Sequence, residues 1–475
     1  MNSAADSKTR KLFVISLGAG LLIFCISAAA SAGIGYMLDD WFHIVLARAM
    51  PHPFDPFFHD RMLGAFFRPV GIVWWWLAAK LGDPGPAVRH LAAALIQLVG
   101  AVMFGLAAKE WRNDDRVGMA AGLLCLSSPF AWACVGWLSC AYDLLALFFS
   151  GLALWRGLRY VRQGRTADCV LAGAATLAAM WSKESALVIP AVLFLLAISA
   201  EGGSRSRALK MALAAGIAVA LAVMHRRLVL GYWMGGYVKG QKSFTLAQSA
   251  GALWRVLQEQ LPGWYWRAAA IAAVIIMVLI RGKTRLSLLF SSAAAAIAAL
   301  PALAIFSSPF MVTTMPARYF AMAAVMLGFP LALSVINGKK TANWGIVAVS
   351  ILMVWGAATW VLGTKTMLAR SQKEMAAVEK TILNIRQQPA GSQPIHVEYR
   401  TGVLGLDAAV KALRPDWRDR IVALNCNWPT HVVTPTEMAA RLHLPWSDGT
   451  PRNPSQGFGL TWGEVIFPPE RCMNP

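Results

Sequence analysis

The sequence predicts an all-α polytopic membrane protein with a small C-terminal extracytoplasmic α/β module, on three observations. Of its 475 residues 57% are hydrophobic and only 14% are charged, and the mean hydropathy is +0.52, a balance foreign to soluble domains. Apolar stretches of membrane-spanning length recur along the chain, about eleven in all. The net charge of +20 comes from short Lys and Arg clusters between those stretches. It therefore reports topology and argues against nucleic acid as a partner.

The first stretch, 12–37, exceeds the apolar region of a signal peptide and lacks a processing site followed by a soluble domain, so it reads as a retained signal anchor. Further spans are expected at 87–108, 117–135, 137–155, 167–182, 185–200, 208–224, 267–280, 286–305, 318–336 and 343–363. Basic clusters fall in alternate connections: Lys8, Arg10 and Lys11; Lys109, Arg112 and Arg116; Arg156, Arg159, Arg162 and Arg165; Arg205, Arg207 and Lys210; Arg281, Lys283 and Arg285; Lys339 and Lys340. By the positive-inside rule the N-terminus is cytoplasmic and the C-terminal region lies outside. Segment 67–82 is apolar but short. Counting it as a crossing would move every later basic cluster outside, so it reads as an interfacial helix with Trp74, Trp75 and Trp76 at headgroup level, a thin tilted span being the competing reading.

This topology divides the chain into a transmembrane domain, 1–365, and a C-terminal periplasmic module, 366–475. The outward connections hold most of the unusual chemistry. The first, 38–86, carries the adjacent aspartates Asp39 and Asp40, and near the membrane borders sit Asp143, Lys183, Glu184, Arg226, Arg227 and Arg318. The middles of the spans hold almost no ionisable groups. A pump or secondary transporter needs such groups at the midplane, or internal repeat symmetry, and neither is visible. The distribution suits a reaction at the outer surface on a lipid-linked substrate.

Six short motifs then occur in order: LDDWFH, FRPV, GDPGPAVRHLAAALIQLVGAVMF, SSPFAWACVGWLSCAYDLLALFF, WSKESALVIP and ARYF. Over about residues 34–336 this series resembles the GT-C integral-membrane glycosyltransferases, in particular the branch of protein O-mannosyltransferases and tetratricopeptide-containing membrane mannosyltransferases, here without the repeats. The resemblance implies a GT-C-like fold, a sugar donor on a polyprenyl monophosphate, and in-line displacement with inversion. Two departures stand out: SSPFAWACV lacks the His and Glu common in relatives, and Ala141-Tyr142 replaces a more polar pair before Asp143.

The residues supply what such a transfer needs, a base for the acceptor hydroxyl and cations for the departing phosphate. Asp39 or Asp40 is the candidate base, with Asp40 preferred; like-charged neighbours at a low-dielectric border raise the proton affinity of one of them. Lys183 is the candidate phosphate ligand, with Glu184 orienting it, and Arg68 and Arg318 are further phosphate candidates or interfacial anchors. Arg226 and Arg227 read as headgroup contacts. Asp143, at the start of a span, calls for a partner such as Lys183 or a substrate hydroxyl. His43 and His90 are supporting residues, structural or cavity-lining. The long loop 225–266 alternates Tyr and Trp with Gly, as a substrate lid or an interfacial anchor would.

The C-terminal module reads as a strand at PIHVEYR, a helix at LDAAVKAL, and a helix at TPTEMAARL with Thr434 as N-cap and Glu437 closing a capping box. Five of the seven cysteines lie in or beside spans. Cys426 and Cys472 belong to the module, where a periplasm permits a disulfide. No metal-ligand spacing or phosphate-binding Gly-rich loop appears, and no cofactor is expected. The leading reading is a glycosyltransferase of the bacterial inner membrane acting at the periplasmic face. Its partners are a polyprenyl-phosphate-linked sugar donor, a glycan, lipid or protein acceptor, and membrane lipids. A polysaccharide polymerase or ligase with a diphosphate-linked donor, and a non-enzymatic glycan or lipid transporter, are the alternatives.

Overall fold

The computed structural model describes residues 3–37, 40–60, 66–82, 84–231, 233, 285–306, 320–336 and 342–386, and beyond these 395–398, 409–410, 413–414, 416–417 and 421–424. Asp39, Arg318, the expected span 267–280, nearly all of the loop after Gly231, the Thr434 helix, Cys426 and Cys472 lie outside the described residues.

The chain opens with α1 (Ser3–Ala32), then turns through Gly33 into the extended residues 34–37. The amphipathic α2 (Asp40–Ala49) follows, burying Trp41, Ile44, Val45, Leu46 and Ala47. After the single turn α3 (Asp55–Phe58) comes α4 (Pro69–Lys80), started by Pro69, whose fixed φ and missing N–H suit the first helical turn. Its 12 residues give a rod about 18 Å long, short of a bilayer core of about 30 Å.

The bundle proper follows. α5 (Pro86–Arg112) also begins at a proline and ends with Asn113 in the left-handed conformation; α6 (Asp115–Leu126) is capped by the Asp114 side chain, which accepts from the Arg116 amide. Pro129 restarts the helix as α7 (Pro129–Gly136), bent 44° from α6. A 3-10 turn, Leu138–Cys140, leads into α8 (Ala141–Gln163), stopped by Gly164 at φ 77°. α9 (Thr166–Ser182) ends at the extended Lys183; a 3-10 turn, Glu184–Val188, then enters α10 (Ile189–Ile198). α11 (Arg205–Leu230), α12 (Arg285–Phe306), α13 (Ala321–Ile336) and α14 (Ala342–Arg386) are the remaining long helices among the described residues.

Among the described residues five helices are long and apolar enough to cross a membrane, six if the bent α6–α7 pair counts as one span. Leu17–Ala32, Glu184–Ile198 and Ala321–Ser334 are shorter apolar helices. The expected tally of about eleven spans is therefore not reproduced one for one. Pro129 and the Lys183 break divide apolar sequence into pieces shorter than a bilayer.

One apolar core joins α1, α5, α6, α7, α8, α10 and α13 around Phe104, Trp111, Trp132 and Phe329. A second caps one end, where Trp41 and Ile44 of α2, Ile72 and Trp75 of α4, Leu138, and Tyr142 of α8 meet Val378 of α14 and Val410. α14 is 45 residues long and runs past residue 365, where sequence reading put a domain boundary. From Thr364 to Arg386 there is no Gly or Pro to stop it, and helix-favouring Lys, Arg, Glu, Gln, Ala, Met and Leu make up most of the segment. Beyond it Ile395–Glu398 and Ile421–Leu424 form a parallel pair, Ile395 opposite Ile421, and the first of these is the strand expected at PIHVEYR.

α14 crosses the α6–α7 bend at Gly356, where an added Cβ would lie 2.1 Å from the Ser127 carbonyl oxygen. Backbone atoms cannot yield as a side-chain tip can. Gly356→Ala is expected to lower stability by about 1–3 kcal/mol, read as a fall in the detergent unfolding temperature, while Gly363→Ala, whose Cβ meets nothing within 4 Å, leaves it unchanged or raised.

Candidate active site

The chemistry-bearing side chains gather where the second core closes the bundle. Asp40 opens α2, so its carboxylate sits at the favourable end of a helix dipole. It is fully buried: Oδ1 accepts from the Ser139 amide at 2.7 Å and the Ser139 hydroxyl at 2.5 Å, and Oδ2 accepts from the Met37 amide at 3.0 Å. The carboxylate thus ties the 37–40 turn to the 3-10 turn before α8.

One helical turn on, the Tyr142 hydroxyl lies 3.0 Å from His43 Nδ1, and the imidazole stacks on Trp75 at 5.2 Å. The Tyr142 ring fits against α4 because position 71 is glycine; a Cβ there would stand 1.8 Å from Tyr142 Cδ1. His43 is buried, and this burial together with the positive Arg68 lowers its pKa from 6.5 to about 3. The ring is therefore neutral at physiological pH.

Next along α8 is Asp143, whose carboxylate accepts from the Lys183 ammonium in a buried ion pair. This is the partner the sequence pointed to. Lys183 is extended, at φ −161° and ψ 144°, between α9 and the following 3-10 turn. Successive side chains of extended backbone point to opposite sides, and Glu184 accordingly turns away. It does not orient Lys183, as the sequence reading had it. Instead Glu184 Oε2 accepts from Arg68 Nε at 3.1 Å and Nη2 at 2.8 Å, while Oε1 accepts from Arg226 Nη1 at 3.1 Å. Arg68 also covers the Phe66 ring at 4.1 Å. Arg226, read from sequence as a headgroup contact, is buried in this cluster.

His225 beside it donates from Nε2 to the Phe57 carbonyl at 2.8 Å and packs among Phe57, Phe67 and Trp181. His90 is buried deeper, with Nδ1 2.7 Å from the Val135 carbonyl oxygen, so it links α5 to α7. The structure therefore brings Asp40, His43, Asp143, Lys183, Glu184 and Arg68 to one end of the bundle and sets His90 in its wall. Ser139 and Tyr142 lie within the fourth motif, but sequence reading gave neither a role; the small Gly71 facing Tyr142 is legible only in three dimensions. Among the described residues no three His, Cys, Asp or Glu side chains converge as metal ligands would.

A family model and solved structures are similar to this chain. Residues 68–229 match the family model of the dolichyl-phosphate-mannose-protein mannosyltransferases. Crystal structures of ArnT from Cupriavidus metallidurans superpose on the chain. The form bound to undecaprenyl phosphate gives a TM-score of 0.51 at 13% identity, covering 90% of this chain and 87% of ArnT. The apo form gives 0.51 at 14%, covering 89% and 86%. The archaeal oligosaccharyltransferase AglB from Archaeoglobus fulgidus, in complex with an inhibitory peptide and a dolichol-phosphate, gives 0.44 at 13%, covering 83% and 63%. No curated protein sequence matches the chain. At these identities the likeness to ArnT establishes the fold.

The depressed pKa of His43 has a signed consequence. Its contribution to stability is complete above the unfolded value of 6.5 and is lost as pH falls towards the folded value of about 3. At pH 5 the loss is about 2 kcal/mol. A falling unfolding temperature between pH 7 and pH 5 is expected, and His43→Phe, which cannot take up the proton, should flatten that part of the profile. The pair Asp143 and Lys183 makes a second prediction: Lys183→Met alone strands a buried carboxylate and costs about 3–5 kcal/mol, while Lys183→Met with Asp143→Leu recovers most of it.

Proposed function

We propose that the chain transfers a sugar from a polyprenyl-phosphate-linked donor to an acceptor hydroxyl, of a glycan, lipid or protein, at the periplasmic face of the bacterial inner membrane. The observation that carries the reading is a juxtaposition. Asp40, at the start of α2, is held through Ser139 against the helix start that carries Asp143, and there the cations Lys183, Arg68 and Arg226 collect. A base for the acceptor and positive charge for the leaving phosphate thus meet at one end of an apolar bundle, as a substrate with its head at the interface and its tail in lipid requires. The solved ArnT bound to undecaprenyl phosphate shares the fold, which supports a polyprenyl carrier. The alternate basic connections support the periplasmic side.

In the proposed reaction a carboxylate takes the acceptor proton as the acceptor oxygen attacks the anomeric carbon. The carbon–oxygen bond to phosphate breaks on the opposite face, inverting the centre, and the pair of electrons leaves on the phosphate. Three cations against two carboxylates give the Lys183, Arg68, Arg226, Asp143 and Glu184 group a net single positive charge, matched to the single negative charge of a phosphodiester donor. Both oxygens of Asp40 are engaged by donors, which favours Asp39 as the base and Asp40 as the residue that fixes its turn. This reverses the preference drawn from sequence.

Two variants divide these roles. Asp39→Asn is expected to leave the fold intact and lower transfer by about a hundredfold or more. Asp40→Asn sets an amide N–H₂ against a buried donor and should cost about 1–3 kcal/mol of stability. Membrane vesicles supplied with a polyprenyl-phosphate sugar and, separately, a diphosphate-linked one provide the assay. Full transfer by Asp39→Asn overturns its assignment as base, and transfer from the diphosphate donor alone points to a polymerase or ligase.

A further inference from the structure

Arg68 and Arg226 both pair with Glu184, whose side chain is the most accessible of the three. The two arginine side chains keep 8% and 10% of their surface, whereas the Glu184 side chain between them keeps 35%. The neighbouring Lys183 and Asp143 side chains are closed in, at 5% and 9%. An anion arriving at the cluster meets the Glu184 side chain first and reaches the arginines by displacing it. At Lys183 no such exchange is open, because the carboxylate to be displaced is itself buried and would be stranded without a partner.

The geometry of the incumbent fits the exchange. Glu184 Oε2 takes two N–H groups along one edge of Arg68, and Oε1 takes one from Arg226. Two oxygens on one central atom, bridging two guanidinium groups, is the pattern a phosphate presents as well.

Resting on the lipid-phosphate reading above, we infer that Glu184 is an intramolecular stand-in for the carrier phosphate. It occupies Arg68 and Arg226 in the empty protein, yields them to the phosphate of an arriving donor, and returns to expel the carrier after transfer. The chemistry of the two ligands makes such a device useful. The donor is a diester with one negative charge, whereas the released monophosphate carries between one and two near neutral pH and holds paired arginines more tightly than the donor does. A carboxylate tethered beside them competes at high effective concentration and so shortens the stay of the product.

The test uses the full chain in detergent micelles, with a short-chain polyprenyl monophosphate as the probe. Glu184→Gln removes the competing charge and is expected to bind the probe about tenfold more tightly, with kcat and the KM for the donor falling together as product release becomes limiting. Glu184→Asp, too short to bridge both arginines, is expected to fall between, and it carries the test should the glutamine variant not fold. A Glu184 that merely orients Arg68 predicts the opposite, weaker binding in both variants. Unchanged or weaker binding in the variants, with the wild type binding the probe, overturns the stand-in role alone; a wild type that fails to bind the probe overturns the lipid-phosphate reading with it.

Discussion

The buried Asp40 carboxylate is the constraint on which the functional end of the molecule depends. A carboxylate removed from water is tolerated only when its lone pairs are met, and three donors, two from Ser139 and one from Met37, meet it. Because Ser139 lies 99 residues along the chain from Asp40, satisfying one charge fixes the distance between their two segments. The first loop is thereby located relative to α8, and α8 in turn carries Tyr142 and Asp143.

From that anchor the remaining charges fall into two compartments on opposite sides of a short extended stretch. The backbone at Lys183 sends one side chain into the bundle, to Asp143, and the next one towards Arg68 and Arg226. The inner pair is closed and holds α8 to the end of α9. The outer trio is partly open and holds α4 to the end of α11. A broken helix thus provides both a fixed ion pair and an exchangeable one from adjacent residues, which an unbroken helix, with neighbours about 100° apart on one surface, would not separate so cleanly.

Much of this was legible in the sequence because its signals are local or obligatory. Pro69 and Pro86 each mark a helix start, whereas the start at Pro129 fell inside the expected span 117–135. Asp143 inside an apolar run called for a partner, Lys183 or a substrate hydroxyl, and the structure pairs it with Lys183. The partner of Glu184 was not legible: its neighbour Lys183 was the obvious choice, while the true partner Arg68 is 116 residues away and is reached only because the backbone between 183 and 184 is extended. The contact of Tyr142 with His43 and the glycine that makes room for it belong to packing, which no periodicity encodes. The expected span 117–135 is divided at Pro129 into two helices bent by 44°, a break that hydropathy alone does not register.

The uninterrupted α14 adds a mechanical property. At about 1.5 Å per residue its 45 residues make a rod of about 68 Å, over twice the hydrocarbon thickness. Near the membrane-embedded part it lies against the α6–α7 bend, and farther along Ser371 accepts a hydrogen bond from the Gly35 amide while Val378 enters the core beneath Trp41. Such a rod behaves as a lever with two fixed points. Tilt imposed on it by a thinner or thicker bilayer would bear on its contacts at Gly35 and with the Trp41 core, the segment that leads into α2.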